Sequence, residues 1–125
     1  MAMDEYLKSM KPISSPHLIQ GKMSESAKRG KAIFEKAGCV ACHPAPLYTD
    51  LKKYDVGTGK YYELNKEYDT PSLVEIWRTA PYLYDGRASS MKEVLTSHNR
   101  SDKHGKTSGL NDSEIDDLIG FTLSL

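Results

Sequence analysis

Gly38-Cys39-Val40-Ala41-Cys42-His43 is a Cys-x-x-Cys-His run that holds both cysteines of the chain. The spacing is that of a covalent c-type haem attachment site. Two thiols three positions apart can each add to one vinyl group of a haem, and the histidine that follows at once is held beneath the iron as its proximal ligand. Attachment and ligation then come from one short turn of chain. Two other chemistries use such cysteines. A redox dithiol wants a thioredoxin-like βαβ context, whereas the residues here read as helix before the run and loop after it. A structural zinc site would draw on Cys39, Cys42, His98 and His104. Against it stand the long gap from Cys42 to His98 and a histidine directly abutting Cys42, neither of which suits the usual finger spacings. Haem attachment is what the residues favour.

The 125 residues suit one domain. A hydrophobic content of 38% is low for a self-sufficient globule and fits a protein that wraps an apolar porphyrin into its core. Seventeen basic and seventeen acidic side chains cancel, so no global field points to nucleic acid or to an anionic membrane. No stretch approaches a membrane span, and Met1-Ala2-Met3-Asp4-Glu5-Tyr6 lacks the basic-then-apolar pattern of a secretory signal. Haem is normally attached to such motifs after export. The expectation is therefore a mature or excised form, or one in which Met1-Ala2 is a cloning remnant, working in the periplasm or another extracytoplasmic space.

Residues 1–23 read as an arm wrapping the outside, with a short helix near Asp4 to Ser9 before Pro12 and Pro16 interrupt. His17 lies in this arm and reads as a surface residue. The first strong helix spans Ser24 to Ala37, with Ser24 as N-cap, Glu25 on the positive end of the dipole and Gly38 at the C-cap. Gly30, on its apolar side with Ala27, Ile33, Phe34 and Ala37, costs about 1 kcal/mol against alanine and suggests close contact with another helix. From His43 to Tyr68 the pattern dissolves into a loop rich in tyrosine, expected to pack over one haem face with Tyr48, Tyr54, Tyr61, Tyr62 and Tyr68. A short hairpin around Thr58-Gly59-Lys60 is compatible with that loop. One carbonyl within Pro44 to Leu47 is expected to orient the imidazole of His43.

Thr70-Pro71-Ser72 reads as the start of a short helix to Arg78, presenting Leu73, Ile76 and Trp77, with Trp77 a candidate haem contact. Asp85-Gly86 turns the chain, and Arg87 is a candidate partner for a haem propionate because a guanidinium matches a carboxylate in bidentate geometry. Ser90-Met91-Lys92-Glu93 is a capping box. The helix it starts places Met91, Val94, Leu95 and His98 on one face. His98 is thereby the expected distal ligand, with Met91 as the alternative that would give a His/Met pair. His104, in the polar loop Asn99 to Gly109, reads as solvent-facing or near the haem edge. The last helix starts at Asn111 with Glu114 closing the cap and Leu110 stapling to Ile115. It should cross the first helix where Gly30 or Gly120 allows close approach.

The order of parts resembles a class I cytochrome c: an all-α fold of 4-5 helices around one covalent haem, with long irregular loops and the cytochrome c domain over 24–125. More closely, the chain resembles the C-terminal haem domain of the bacterial diheme cytochrome c peroxidase family and its relatives that mature methylamine dehydrogenase. The likeness rests on Arg29-Gly30-Lys31-Ala32-Ile33-Phe34, Tyr68-Asp69-Thr70-Pro71-Ser72-Leu73, Thr79-Ala80-Pro81-Tyr82-Leu83-Tyr84-Asp85-Gly86 and Met91-Lys92-Glu93-Val94-Leu95. It implies a distal ligand from the helix after the Asp-Gly turn, where His98 matches. Tyr84 stands where the family has a histidine, and a second Cys-x-x-Cys-His domain is absent from this sequence. The function expected is single-electron transfer through a low-spin haem held by His43 and His98, not enzyme catalysis. Its partner would be a redox protein or a neighbouring haem domain. The alternatives are a peroxidase-like site with a labile sixth ligand and a haem-based sensor of small ligands.

Overall fold

A computed structural model describes all of residues 1–125. Four α-helices are present: α1 (Ala2–Ser9), α2 (Glu25–Lys36), α3 (Met91–Leu95) and α4 (Asp112–Leu123). Between them run three single 3-10 turns and a small antiparallel sheet of β1 (Lys53–Tyr54) and β2 (Tyr68–Asp69), registered Lys53 to Asp69 and Tyr54 to Tyr68. The fold is therefore helical around its core, but all-α only approximately. The strands close the long tyrosine-rich loop at its base, not as a tight hairpin at Thr58-Gly59-Lys60.

Helices α2 and α4 form the frame. Ser24 caps α2 by accepting from the Ala27 N–H at 3.0 Å. Asn111 and Glu114 form a complete capping box on α4. The two helices cross at Gly30, where a Cβ would stand 1.9 Å from the Asp117 carbonyl oxygen. Only a residue without a side chain allows that approach. The buried Asp117 locks the crossing from the other side, accepting from Arg29 Nε at 2.7 Å and from Ser26 Oγ at 2.7 Å. That guanidinium holds the Asp117 carboxyl below the usual aspartate range, with the Ser26 hydroxyl adding to the effect. Phe34 of α2 meets Phe121 of α4 edge-on with ring centres 5.2 Å apart, and Tyr48 packs edge-on against both. Ile33, Leu118, Ile115, Met91, Val94 and Leu95 continue the same core.

Two helices differ from the sequence reading. The segment from Ser72 forms no helix until one 3-10 turn at Ile76–Arg78. Thr70 N–H is committed to the Lys52 carbonyl beside the sheet, and the Ser72 hydroxyl reaches back to the Leu47 carbonyl. Glu75 then takes a left-handed conformation at φ 62°, which α-helix does not tolerate. Helix α3 begins at its Ser90 cap as expected but stops after five residues. Thr96 leaves helical geometry at φ −121°, ψ −84°, and the Thr96 and Ser97 hydroxyls turn onto the Lys92 and Glu93 carbonyls, bonds that weaken and bend a helix.

The arm's helix α1 buries no residue. Residues 13–15 tie the arm to the body: the Ile13 N–H donates to Glu75, and the buried Ser15 hydroxyl donates to the Leu123 carbonyl at 2.5 Å. No helix is long and apolar enough to cross a membrane.

Candidate haem site

A cavity of about 490 Å³ lies between the α2/α4 frame, the loop after His43 and helix α3. Its size falls within the usual range for enclosed organic ligands, about 300–1,000 Å³. Phe34, Leu73, Ile76, Leu83, Val94 and Leu118 supply apolar wall. Cys39, Cys42 and His43 line one side. The chain reaches them through Gly38 at φ 81°, which ends α2 and starts the 3-10 turn Cys39–Ala41. Cys39 and Cys42 are not bonded to each other, and burial pushes the Cys39 thiol up to about 11.

The His43 ring is fixed from behind. Its Nδ1 lies 2.8 Å from the Tyr48 carbonyl, so that Nδ1–H donates there and Nε2 keeps its lone pair for a metal. The orienting carbonyl is thus one residue beyond the stretch Pro44 to Leu47 expected for it. Tyr48 itself is pinned by Phe34 and Phe121, which couples the ligand's orientation to the α2/α4 crossing. Burial lowers the His43 pKa and favours the neutral, ligating form.

Opposite His43 stands His104. The ring centres are 6.5 Å apart, tilted by 40°. Two imidazoles bound to one metal at about 2.0–2.1 Å each, with each ring centre roughly 1.1 Å behind its nitrogen, would stand about 6.3 Å apart. His104 Nδ1 is buried without a hydrogen-bond partner, a state that costs about 1–3 kcal/mol in a closed core. Burial, with the nearby His43 adding to it, lowers the His104 pKa to about 4, so the ring is neutral at pH 7. A flat apolar group held by two thiols on one edge and one imidazole on each face fits these residues.

Of the other residues expected at the site, His98, Trp77 and Arg87 do not line the cavity. His98 follows the end of α3 in a turn, its N–H on the Glu93 carbonyl, and does not line the cavity. The helical face that would have carried it inward stops at Leu95. The four residues of the zinc alternative accordingly do not converge, and no three His, Cys, Asp or Glu side chains form a metal cluster. Met91 does reach the cavity wall. Trp77 is half-buried outside the lining, its Nε1 without a partner. Arg87 also lies outside the lining, engaged by Asp85, by the Thr58 carbonyl at 3.0 Å and by the Tyr84 hydroxyl at 2.8 Å. Lys103 is the lysine or arginine that does line the cavity, paired with Asp55 at 2.9 Å. Among the tyrosines, Tyr54 and Tyr68 reach the lining while Tyr61 and Tyr62 are exposed.

Residues 67–104 match the family model described as RoxA-like, cytochrome c-like, a stretch that ends at His104. Curated relatives include hydrazine synthase subunit gamma of Kuenenia stuttgartiensis, 28% identical over 96% of this chain and 47% of the relative. The methylamine utilization protein MauG of Methylophilus methylotrophus is 32% identical over 82% of this chain and 37% of the relative. Cytochrome-c peroxidase IdrP1 of Denitromonas iodatirespirans is 29% identical over 82% and 41% respectively. The chain belongs to the diheme cytochrome c peroxidase/MauG family. It is a cytochrome c-like domain, spanning less than half the length of these curated relatives, and its cofactor is a covalent c-type haem. Among solved structures, the Kuenenia stuttgartiensis hydrazine synthase superposes with a TM-score of 0.85 at 28% identity, over 96% of this chain and 52% of that one. A MauG-like protein associated with microbial copper homeostasis gives a TM-score of 0.65 at 21% identity, over 98% and 50%, a likeness of fold.

The sequence reading left His104 between solvent and the haem edge, and the structure turns it into the cavity wall. A histidine flanked by lysine and glycine in a polar loop carries no periodicity that would point it inward. The usable signal was the set of buried-type hydrogen-bonding residues around it, Asn99 and Thr107, which a solvated loop does not need.

Proposed function

We propose that this chain holds one haem c between His43 and His104 and passes single electrons through the haem's solvent-facing edge. The facing of the two imidazoles across the cavity, 6.5 Å apart at their ring centres, carries the reading. Cys39 and Cys42 supply the thioether bonds, Tyr48 orients His43, and the apolar wall excludes water from the iron. Bound there, haem supplies a one-electron couple, set below that of a His/Met site by two imidazole ligands. Asp69, Pro71, Pro81 and Tyr84 line the cavity and are exposed, which suits a weak, transient redox partner or a neighbouring haem domain at that rim. The working compartment is extracytoplasmic, where such haems are attached.

Met91 on the cavity wall favours a second reading, a His43/Met91 pair, with a higher potential. Peroxide chemistry, which the names of some relatives carry, is disfavoured because His43 and His104 together would leave no open position for peroxide on a bound haem. The test is to expose the ferrous protein to carbon monoxide and the ferric protein to hydrogen peroxide. Unchanged spectra and no turnover with a peroxidase dye are expected. Ready carbon monoxide binding with peroxide turnover would overturn electron transfer as the function.

A further inference from the structure

His104 sits on a loop, and a loop by itself holds a ligand poorly. Asn99 is buried, 3% exposed, and its amide spans that loop. Its Oδ1 accepts from the His104 N–H at 2.9 Å, while Nδ2 lies 3.1 Å from the His104 carbonyl, 2.8 Å from the Gly105 carbonyl and 2.8 Å from Thr107 Oγ1. The buried Thr107 hydroxyl donates in turn to the Leu95 carbonyl at the end of α3, at 2.7 Å. On the other side the Lys106 N–H donates to the Ala37 carbonyl at 2.9 Å, two residues before Cys39. Gly105 takes the left-handed φ of 84° that this turn requires, within ordinary contact distance of Cys39 Sγ. The loop is thus stitched both to the helix that delivers Met91 and to the segment that delivers Cys39.

We infer that Asn99 is the positioning residue for the distal side of the haem: with Thr107 it clamps the backbone of His104 and keeps the sixth coordination position closed to small ligands. The inference rests on His104 being the distal ligand. Asn99 touches no reacting atom. It acts by fixing where the His104 main chain stands relative to His43, and losing it frees the loop while leaving the imidazole, the thiols and the cavity wall chemically intact.

The test compares holoprotein carrying Asn99→Ala with wild type by low-temperature EPR of the ferric state and carbon monoxide binding to the ferrous state. The expected result is loss or broadening of a bis-imidazole signal and about a tenfold rise in the carbon-monoxide-bound fraction at limiting gas, the scale of one to two buried hydrogen bonds. A wild-type spectrum and gas insensitivity in Asn99→Ala would overturn the clamp while leaving the bis-histidine site standing. Absence of a bis-imidazole signal from wild type itself would overturn both. Should Asn99→Ala fail to yield holoprotein, Thr107→Val against Thr107→Ser decides the matter. Gas binding in the valine variant, restored to wild-type insensitivity by serine, supports the clamp, and equal behaviour of the two overturns it.

Discussion

Gly30 lies against the backbone of Asp117 so closely that the position of an added methyl would fall 1.9 Å from the Asp117 carbonyl oxygen. This contact sets the crossing of α2 and α4, and through Phe34, Tyr48 and Phe121 it sets the orientation of His43. The core and the placement of His43 are one construction.

Gly30→Ala should therefore destabilise the protein by at least about 1–3 kcal/mol, the usual cost of overpacking a tight contact. The clash is with backbone, which cannot rotate aside. Denaturant unfolding of the holoprotein measures it, with Gly109→Ala as control, since nothing lies within 4 Å of that position. Equal stability of the two variants would contradict the crossing geometry.

Asp117 supplies a pH dependence. Arg29 and Ser26 hold its carboxyl below the usual aspartate range. A lowered native pKa means that the unfolded chain binds the proton first. The stabilisation is complete above the ordinary aspartate range and is lost as pH falls through the lowered native value. Asp117→Asn should be less stable at neutral pH and lose less on acidification than wild type. Parallel acid profiles of the two would contradict the pairing.

The parts of the fold that were legible in the sequence are those ruled by local chemistry. Ser24 and Asn111 cap their helices because a hydroxyl or amide beside free N–H groups needs no tertiary help. Gly30 could be read as a close contact because it is costly anywhere else in a helix. The Cys-x-x-Cys-His run carried its chemistry in its spacing. What escaped depends on long-range pairing. Thr70 and Ser72 look like a helix start but spend their hydrogen bonds on Lys52 and Leu47. The helical periodicity that pointed at His98 assumed a continuous α3, whereas the helix stops at Leu95 and Thr96 leaves helical geometry. His104 is brought inward by Asn99, five residues away, and by Ala37 from the other end of the domain.

Charge near the haem edge should come from Lys103, not Arg87. Lys103 lines the cavity, whereas the Arg87 guanidinium is spent on Asp85, Thr58 and Tyr84. Removing a cation beside the iron favours the ferric state, so Lys103→Gln should lower the reduction potential. Arg87→Gln should leave the potential near wild type and cost about 1 kcal/mol of stability or less, the scale of a solvent-screened ion pair. Spectroelectrochemistry of both variants checks this, and the opposite ranking would restore Arg87 as the propionate partner.

The distal ligand is the central claim, and it is tested most directly by ferric EPR and optical spectra of the wild type beside His104→Ala, His98→Ala and Met91→Leu. The account predicts a low-spin bis-imidazole signature in wild type, retained in His98→Ala and Met91→Leu and lost only in His104→Ala. A signature lost in His98→Ala and kept in His104→Ala, or a methionine-to-iron band abolished by Met91→Leu, would contradict it.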